Sequence, residues 1–268
     1  VVEEAVLYDT GKTRVIVGLA PTVTSVVLPE TVVSIEDSAF QGSSLLTSIV
    51  IPEGVTSIGR SAFQNCNSLA SIILPHTLTS IGALAFAGCG SIPEISIPEG
   101  VTSIGWGAFR ACRMLSIVEL PETLTSIEDS AFEQCDSLRS IEIPENVTSL
   151  SIQAFRDCSA LSAIYFRGLP PSVSEAFEYV GPGNESVPAT FPETAIAYRL
   201  QTVAEWPDTI GGIPVLAYDS TTAQIGIDKT GTMYLQQGIG YELFVTHPAS
   251  SETLAVTVAT EPAMAVLW

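Results

Sequence analysis

Apolar residues recur along much of this chain with a fixed spacing of 23 positions. A proline opens each unit, and an Ala-Phe pair follows ten and eleven positions later. The unit P-E-x-V-T-S-I-x-x-x-A-F-x-x-C-x-x-L-x-x-I-x-I occurs six times between Pro29 and Phe166 with no insertion or deletion. Because so short a coil cannot bury its own apolar face, the coils must stack and share one core. The pattern therefore predicts a repeat solenoid.

Each unit contains two extended pieces and a turn. The segment L-x-x-I-x-I, as in Leu69, Ile72 and Leu74, alternates inward and outward positions as a strand does. Val55–Ile58 is a second, shorter extended piece, and the proline between the two pieces suits a corner because it has no N–H to donate. The Ala-Phe segment is predicted to be a short helical or 3₁₀ turn that places the phenylalanines one above another as a structural core. They are Phe40, Phe63, Phe86, Phe109, Phe132 and Phe155.

The segments that flank the repeats are expected to be caps, because the outer face of a terminal coil meets water. Before the repeats, Val6–Tyr8 and Arg14–Val17 predict a hairpin, and residues 24–28 predict the first strand of the ladder. After Phe166 the period fails, and we predict a short helix from Thr194 to Glu205. The expected domains are an N-terminal cap (1–28), six repeats (29–166), a C-terminal cap of the solenoid (167–218) and a small all-β segment (219–268).

One column of outward residues is the candidate binding surface. In each first strand, the residue between the last two buried apolar positions points away from the core. The first three residues of this column are apolar and β-branched, and two of the last four are acidic. An exposed apolar strip is typical of an interaction site, although β-branched residues also simply favour strands. The column is Val27, Val50, Ile73, Ser96, Glu119, Glu142 and Tyr165, and its neighbours two positions earlier are Ser25, Ser48, Ser71, Glu94, Ile117, Ser140 and Ala163.

The charge of the chain narrows the possible partners. The formal net charge is −19, with 29 acidic residues against 10 basic ones. Such a chain repels polyphosphate and anionic lipid, so we expect no nucleic-acid binding. No apolar run reaches the roughly 18 residues of a membrane span, so we expect no membrane insertion of this segment. The chain begins at Val1 with no visible leader, and we interpret it as a mature or trimmed product.

The cysteines form a further column with the same spacing. An odd count argues against a closed disulfide framework, and the absence of C-x-x-C argues against zinc. We therefore expect buried free thiols, with a metal or redox role as the less favoured alternative. Ser43 takes this position in the first repeat. The cysteines are Cys66, Cys89, Cys112, Cys135 and Cys158.

Two columns of polar residues and two histidines are the remaining candidates for metal binding or catalysis. A glutamate column could hold calcium, but a solvated acidic face is the favoured interpretation. A threonine column could order water as in ice-binding proteins, but hydroxyls bonded to neighbouring coils are favoured. Two histidines, His76 and His247, lie in different regions, and no known catalytic motif occurs, so we expect neither an enzyme nor a cofactor. The columns are Glu30, Glu53, Glu99, Glu122 and Glu145, with His76 in the third slot, and Thr56, Thr79, Thr102, Thr125 and Thr148.

The repeat resembles that of a known family. The residues Pro52–Ile58, followed by Ala62-Phe63-Gln64-Asn65-Cys66, are similar to the leucine-rich repeat of BspA-like bacterial surface proteins, and all six copies match. The segment around Tyr198 and Trp206 resembles the closing piece of that family. The last fifty residues are weakly similar to a bacterial immunoglobulin-like module.

The resemblance implies a secreted or cell-surface bacterial protein with a role in adhesion and protein binding, and it carries over no catalytic residues. We therefore expect a monomeric binding solenoid that recognises a protein or glycan through its stacked strands. The alternative is a structural spacer that holds another module away from the cell. A spacer needs only solubility and stiffness, whereas a binding protein needs a patch that differs from coil to coil.

Overall fold

The computed structural model describes most of the repeat region and parts of its flanks. The described residues are 2–3, 6–9, 11–18, 23–174, 195–200, 206–210, 213–218, 226–227, 233–234, 242–246 and 253–257. Within them the chain forms a succession of short strands and turns, one coil per repeat. This is the solenoid that the 23-residue spacing predicts.

The first strand of each coil contributes to one side of the solenoid. Neighbouring coils pair in parallel with a register of one full repeat, so that Val26 lies beside Ile49 and Ile49 beside Ile72. We call this side the binding side because it carries the column that the sequence analysis selects as a candidate binding surface. Its strands are β4 (Ser25–Val27), β6 (Ser48–Val50), β8 (Ser71–Ile73), β10 (Glu94–Ser96), β12 (Ile117–Glu119), β14 (Ser140–Ile143), β16 (Ala163–Phe166), β18 (Ile196–Leu200) and β20 (Ile213–Tyr218).

A second side is built from the shorter extended pieces, and their buried residues, such as Ile35 and Ile58, face the core. These strands are β5 (Ser34–Ile35), β7 (Ser57–Ile58), β9 (Ser80–Ile81), β11 (Ser103–Ile104), β13 (Ser126–Ile127), β15 (Ser149–Ser151) and β17 (Ser172–Ser174). The N-terminal strands β1 (Val2–Glu3), β2 (Val6–Tyr8) and β3 (Arg14–Gly18) pair antiparallel with one another, and β3 continues this side by pairing in parallel with β5.

The third side carries the Ala-Phe segment and consists of turns that bond in two directions. The N–H groups of Ala39 and Gln41 donate to carbonyls three residues earlier in the same coil. The intervening N–H groups of Ser38 and Phe40 donate to carbonyls of the next coil at 2.8 and 2.7 Å. The same alternation recurs in the following coils, so every coil is tied to its neighbour on this side without a strand.

Left-handed residues produce this alternation. The position two residues before each phenylalanine has positive φ in five repeats, and the position two residues after it has positive φ in all six. Since consecutive right-handed residues are needed for a helix, these positions interrupt one. Only the last repeat forms a 3₁₀ helix, Ile152–Phe155, among the described residues, with Ser151 as its N-cap. The predicted helical turn is thus a set of bonded turns in the other repeats.

The core is a single column of side chains shared by all coils. The six phenylalanine rings are buried and stacked, with centroids 5.2 to 5.5 Å apart and ring planes within 3 to 7° of parallel. Buried Leu69 and the equivalent leucines and isoleucines belong to the same core. Beyond the last coil, Trp206 packs its ring against Phe166 at 5.0 Å.

Both strand sides are interrupted at one junction, between the coil that contains β8 and β9 and the coil that contains β10 and β11, and the binding side is also unpaired between β12 and β14. On the binding side, β8 and β10 do not pair, and on the second side β9 and β11 do not pair. Pro93 explains the first interruption. At the equivalent position, Thr47 and Ala70 each donate an N–H to the preceding coil, and proline has none. The turn side remains bonded across this junction, for example from Phe86 N–H to Ala108 O at 2.8 Å.

The predicted helix from Thr194 to Glu205 is wrong in its described part, because Ile196–Leu200 is the strand β18. This strand pairs in parallel with β16, and β20 pairs with β18. Ala195 and Ala197 are buried and Tyr198 is partly exposed, which is the period of a strand. The unpaired edge of β16 presents free backbone N–H and C=O groups. Hydrogen bonds to these groups stabilise the strand more than the local sequence pattern stabilises a helix. The two-residue strand β19 (Thr209–Ile210) pairs antiparallel with β20 at the end of the sheet.

The final segment contains two separate antiparallel pairs among its described residues. β21 (Gly226–Ile227) pairs with β22 (Met233–Tyr234), and β23 (Glu242–Thr246) pairs with β24 (Thr253–Thr257). An all-β segment at the C-terminus agrees with the fold class that the sequence indicates.

Candidate binding surface

The binding side exposes the column of outward residues that the alternation of the strands defines. Val26 and Leu28 are buried while Val27, between them, is 61% exposed. Val50 and Ile73 are 57% and 80% exposed, and they lie beside Val27 in the parallel register of β4, β6 and β8. Three large apolar side chains therefore form a continuous strip across three paired strands. We call Val27, Val50 and Ile73 the apolar strip.

A row of small residues runs beside the apolar strip. Ser25, Ser48 and Ser71 are the residues two positions earlier in the same strands, and they pair with one another in register. Their side chains are exposed or half-buried. A ridge of apolar side chains thus borders a shallow row of serines, and both run along the stacking direction of the coils.

The character of the column changes from the third repeat onward. Ser96 and Glu119 are exposed neighbours in the paired strands β10 and β12, and Glu94 is exposed in the row of small residues. Ile117, beside Glu94 in the register, is 53% exposed. Across the described part of the chain, no ion pair joins Glu94 or Glu119 to a basic side chain. This stretch therefore presents uncompensated negative charge next to the apolar strip.

Glu142, the next member of the column, forms an ion pair within the chain. The Arg167 guanidinium lies 3.3 Å from its carboxylate and also pairs with Glu122. Partial burial raises the pKa of Glu142, and the Arg167 charge opposes that rise. Arg167, which follows the sixth repeat, thus binds two carboxylates of the fifth repeat, and its charge is shared between them.

The column continues beyond the repeats through residues that the sequence pattern did not reveal. Tyr165 stacks on Tyr198, with ring centroids 5.0 Å apart, because β16 and β18 place these residues side by side. Burial raises the pKa of the Tyr198 phenol. Leu216 follows Tyr198 in the register of β20 and is 48% exposed. The only sequence signal for these positions is the alternation Ala195-Ile196-Ala197-Tyr198, which lies outside the 23-residue period.

The cysteines are buried free thiols with a specific hydrogen bond. Each Sγ–H donates to the carbonyl of the phenylalanine in the preceding coil, as from Cys112 to Phe86 O at 3.2 Å. Burial raises the pKa of Cys112 from 9.0 to about 12 and the pKa of Cys89 and Cys135 well above the ordinary value. These three thiols are therefore protonated donors between coils. All five are free and buried.

The glutamate column is exposed at the corner after each proline and makes contacts to the next coil. Glu53 accepts a hydrogen bond from the His76 N–H at 2.9 Å, and Glu99 accepts one from the Glu122 N–H at 3.4 Å. No group of three histidine, cysteine, aspartate or glutamate side chains suited to a metal occurs within the residues described above. His76 is exposed, and His247 lies outside the described residues.

Four of the five residues in the threonine column bond to the preceding coil, as the favoured interpretation expects. Thr79 Oγ1 donates to the Thr56 carbonyl at 3.0 Å, and Thr125 Oγ1 donates to the Thr102 carbonyl at 2.9 Å. Thr56 and Thr148 make the equivalent bonds. These hydroxyls therefore strengthen the stack.

None of the described segments forms a helix with the length and apolarity that crossing a membrane would require.

Comparison with known proteins identifies the repeat. The family model of the BspA type leucine-rich repeat region matches six copies, over residues 20–118 and 79–182. A leucine-rich repeat protein of T. pallidum is similar in structure, with 32% identity, a TM-score of 0.55, and coverage of 59% of this chain and 75% of that one. No curated protein sequence matches this chain.

Two further bacterial leucine-rich repeat proteins share the architecture. The protein of Bacteroides ovatus is 29% identical with a TM-score of 0.56, and 76% of this chain covers 55% of it. The protein of Eubacterium ventriosum is 26% identical with a TM-score of 0.58, and 69% of this chain covers 53% of it. The chain therefore spans about half the length of these two proteins. From the match of all six copies, the chain belongs to the family of BspA-type leucine-rich repeat proteins.

Proposed function

We propose that this chain is a bacterial cell-surface or secreted binding solenoid that recognises a partner, a protein or a glycan, through its binding side. The observation that carries this proposal is the apolar strip. Val27, Val50 and Ile73 lie in register on three paired strands with more than half of each side chain exposed. Water-exposed apolar side chains in a continuous patch favour contact with another molecule. The family membership supports a repeat protein at the cell surface.

The strip also distinguishes a binding protein from a spacer. The second strand side is exposed too, but the hydroxyls of four of its five outward threonines donate hydrogen bonds to neighbouring coils. A spacer would tolerate the same polar residues on both sides. On the binding side the residues change along the stack from apolar to acidic to aromatic, and a repeat under selection for stiffness alone has no need of that order.

The test compares three proteins in capture experiments with host-cell and matrix proteins. The parent chain is expected to retain a defined partner, and Ile73→Asp is expected to bind it at least about tenfold more weakly, equivalent to about 1.4 kcal/mol. The physical reason is that a carboxylate at this end of the strip would have to be desolvated in the complex. Affinity for the identified partner is then measured by calorimetry.

Thr102→Asp is the matched control, because it adds the same charge to an exposed position on the second side. It is expected to bind like the parent. If Ile73→Asp also binds like the parent, the strip is not the site and the spacer interpretation replaces this proposal. Circular dichroism and thermal melting of both variants establish that the fold is intact.

A further inference from the structure

We propose that the partner presents an amphipathic α-helix to the binding side, with its axis along the stack of coils. Its apolar stripe lies over the apolar strip, and Lys or Arg side chains one and two turns further along face Glu94 and Glu119. This inference rests on the proposed function and specifies the chemistry of the partner. It follows from the relief, the spacing and the charge of the surface.

The relief of the surface favours an elongated ligand that lies along the stack. The apolar strip is a ridge, and Ser25, Ser48 and Ser71 form the lower row beside it. Residues of one row are separated by one coil, about 4.8 Å, whereas the two rows are about 7 Å apart along each strand. Side chains are therefore closest along the stack, and the row of serines gives a partner backbone room to approach.

The coil spacing matches the rise of a helix better than that of an extended chain. One helical turn rises about 5.4 Å, so residues at i, i+3 or i+4, and i+7 meet three successive coils with an accumulated offset of about 1 Å. Alternate residues of an extended strand are about 6.7 Å apart and would be about 4 Å out of register over the same distance. A helical ligand can thus contact Val27, Val50 and Ile73 with one stripe, as helices do in apolar grooves.

The charges beyond the strip require a basic continuation of that helix. Glu94 lies one coil after Ile73 and Glu119 two coils after it, and neither has a basic partner within the described chain. Exposed Ile117 lies beside Glu94 in the register. Lys and Arg suit this combination, because their apolar stems can cover Ile117 while their charged ends reach the two carboxylates.

The same charges disfavour other occupants. A second copy of this chain carries the same net charge of −19, so its approach would be opposed by mutual repulsion. Anionic lipids and acidic glycans are repelled in the same way. A cationic helix gains from the long-range attraction that also accelerates encounter.

The test uses two synthetic helical peptides of about 22 residues, or about six turns. Both carry three leucines at one-turn intervals. In the basic peptide two lysines follow at the next two turns, and in the acidic peptide two glutamates replace them. The basic peptide is expected to bind the parent chain at least about tenfold more tightly than the acidic peptide, and its affinity is expected to fall between about 0.1 M and about 1 M salt.

Variants of the protein with reversed charge form the second part of this test. Glu94→Lys/Glu119→Lys is expected to invert the preference, so that the acidic peptide binds more tightly. Glu30→Lys/Glu145→Lys makes the same change of charge at two exposed corner positions off the binding side and is expected to retain the preference of the parent. Ile73→Asp is expected to weaken both peptides.

The outcomes separate this inference from the proposed function. Equal binding of the two peptides, binding of neither, or equal effects of the two double variants would overturn the helical, basic partner. If Ile73→Asp nevertheless abolishes capture of a natural partner, the proposed function stands without this inference. Binding of the basic peptide that Ile73→Asp leaves unchanged would mean that charge alone attracts it, and the inference would be overturned.

Discussion

Each buried cysteine serves the fold as a hydrogen-bond donor. The phenylalanine carbonyl that accepts the thiol proton also accepts the backbone N–H three residues later in its own coil, as Phe63 O does from Cys66 N–H at 3.1 Å and from the Cys89 thiol at 3.0 Å. One carbonyl therefore connects two coils. Ser43 holds this position in the first repeat, and its backbone N–H makes the equivalent bond within the coil, to Phe40 O at 3.0 Å.

Labelling with a thiol reagent tests the burial of this column. We expect almost no reaction in the native protein and reaction of all five cysteines after denaturation, because the thiolate is the reactive form and every Sγ is buried. Absorbance of the released chromophore measures the count. Rapid modification of two or more native cysteines would contradict the packing, and fewer than five after denaturation without reductant would indicate a disulfide.

The raised thiol pKa values also predict how stability depends on pH. Folding raises the pKa of Cys112 from 9.0 to about 12, so the folded state holds this proton more tightly than the unfolded state does. Its contribution is complete below about pH 9 and is lost as the pH rises toward 12. At pH 10 we expect a loss of about 1.4 kcal/mol in the free energy of unfolding from this thiol alone. Denaturant titrations at pH 7 and pH 10 measure it.

Cys112→Ala is the control for that titration. It should lower stability at pH 7 through the lost contact and hydrogen bond, but its further loss at pH 10 should be smaller than that of the parent. An identical pH dependence in the two proteins would show that Cys112 does not contribute to it.

At the scale of elements, stability depends on neighbours above and below. The ring of Phe109 packs between Phe86 and Phe132 at 5.3 and 5.4 Å, whereas Phe40, at the start of the stack, has a ring partner on one side, Phe63. The turns that carry these rings supply bonds to the next coil through their left-handed residues. The stacked rings and the hydrogen-bonded turns thus join neighbouring coils even where the strands do not pair.

Truncation of a central ring should therefore be costly. We expect Phe109→Ala to reduce the free energy of unfolding by about 3–5 kcal/mol, the usual range for a fully buried phenylalanine. Phe40→Ala should cost less, because fewer neighbours lose contacts when a terminal coil is altered. Chemical denaturation measures both. A loss under about 1 kcal/mol for Phe109→Ala would contradict its burial.

At the scale of the whole molecule, the solenoid has one junction where both strand sides are interrupted. Between the third and fourth repeats, the N–H groups of Thr102 and Gly105 form no backbone bond within the described chain, whereas their equivalents Thr125 and Glu128 donate at 2.8 and 2.9 Å. The junction is maintained on the turn side and by the shared core. It also separates the apolar strip from the acidic part of the column.

Native-state hydrogen exchange should detect this junction. We expect the Thr102 and Gly105 amides to exchange at least about tenfold faster than those of Thr125 and Glu128, after correction for intrinsic rates, because unbonded amides need no opening event. The equivalent amides of Thr79 and Gly82, which donate at 2.9 and 2.8 Å, are internal controls. Equal protection at all these positions would show that the strands pair across the junction in solution.

The 23-residue spacing by itself determined the coil, the faces and the outward column. An exact repeat places equivalent residues in register, and the alternation of a strand then decides which of them are exposed. The apolar strip, the stacked rings and the buried thiols follow from these two rules, as the structure shows for Val50, Phe63 and Cys66.

Only the tertiary structure decided the features that depend on partners distant in sequence. Ile196–Leu200 is a strand because the edge of β16 offers it backbone bonds, and Tyr198 thereby joins the column beside Tyr165. The turns alternate between two bonding directions because carbonyls of the next coil are within reach, which no local pattern encodes. Pro93 interrupts the strand pairing only because the residue at this position in other coils donates its N–H to a carbonyl of the preceding coil. Local periodicity determines what each residue faces, and packing between coils determines which backbone groups it can bond.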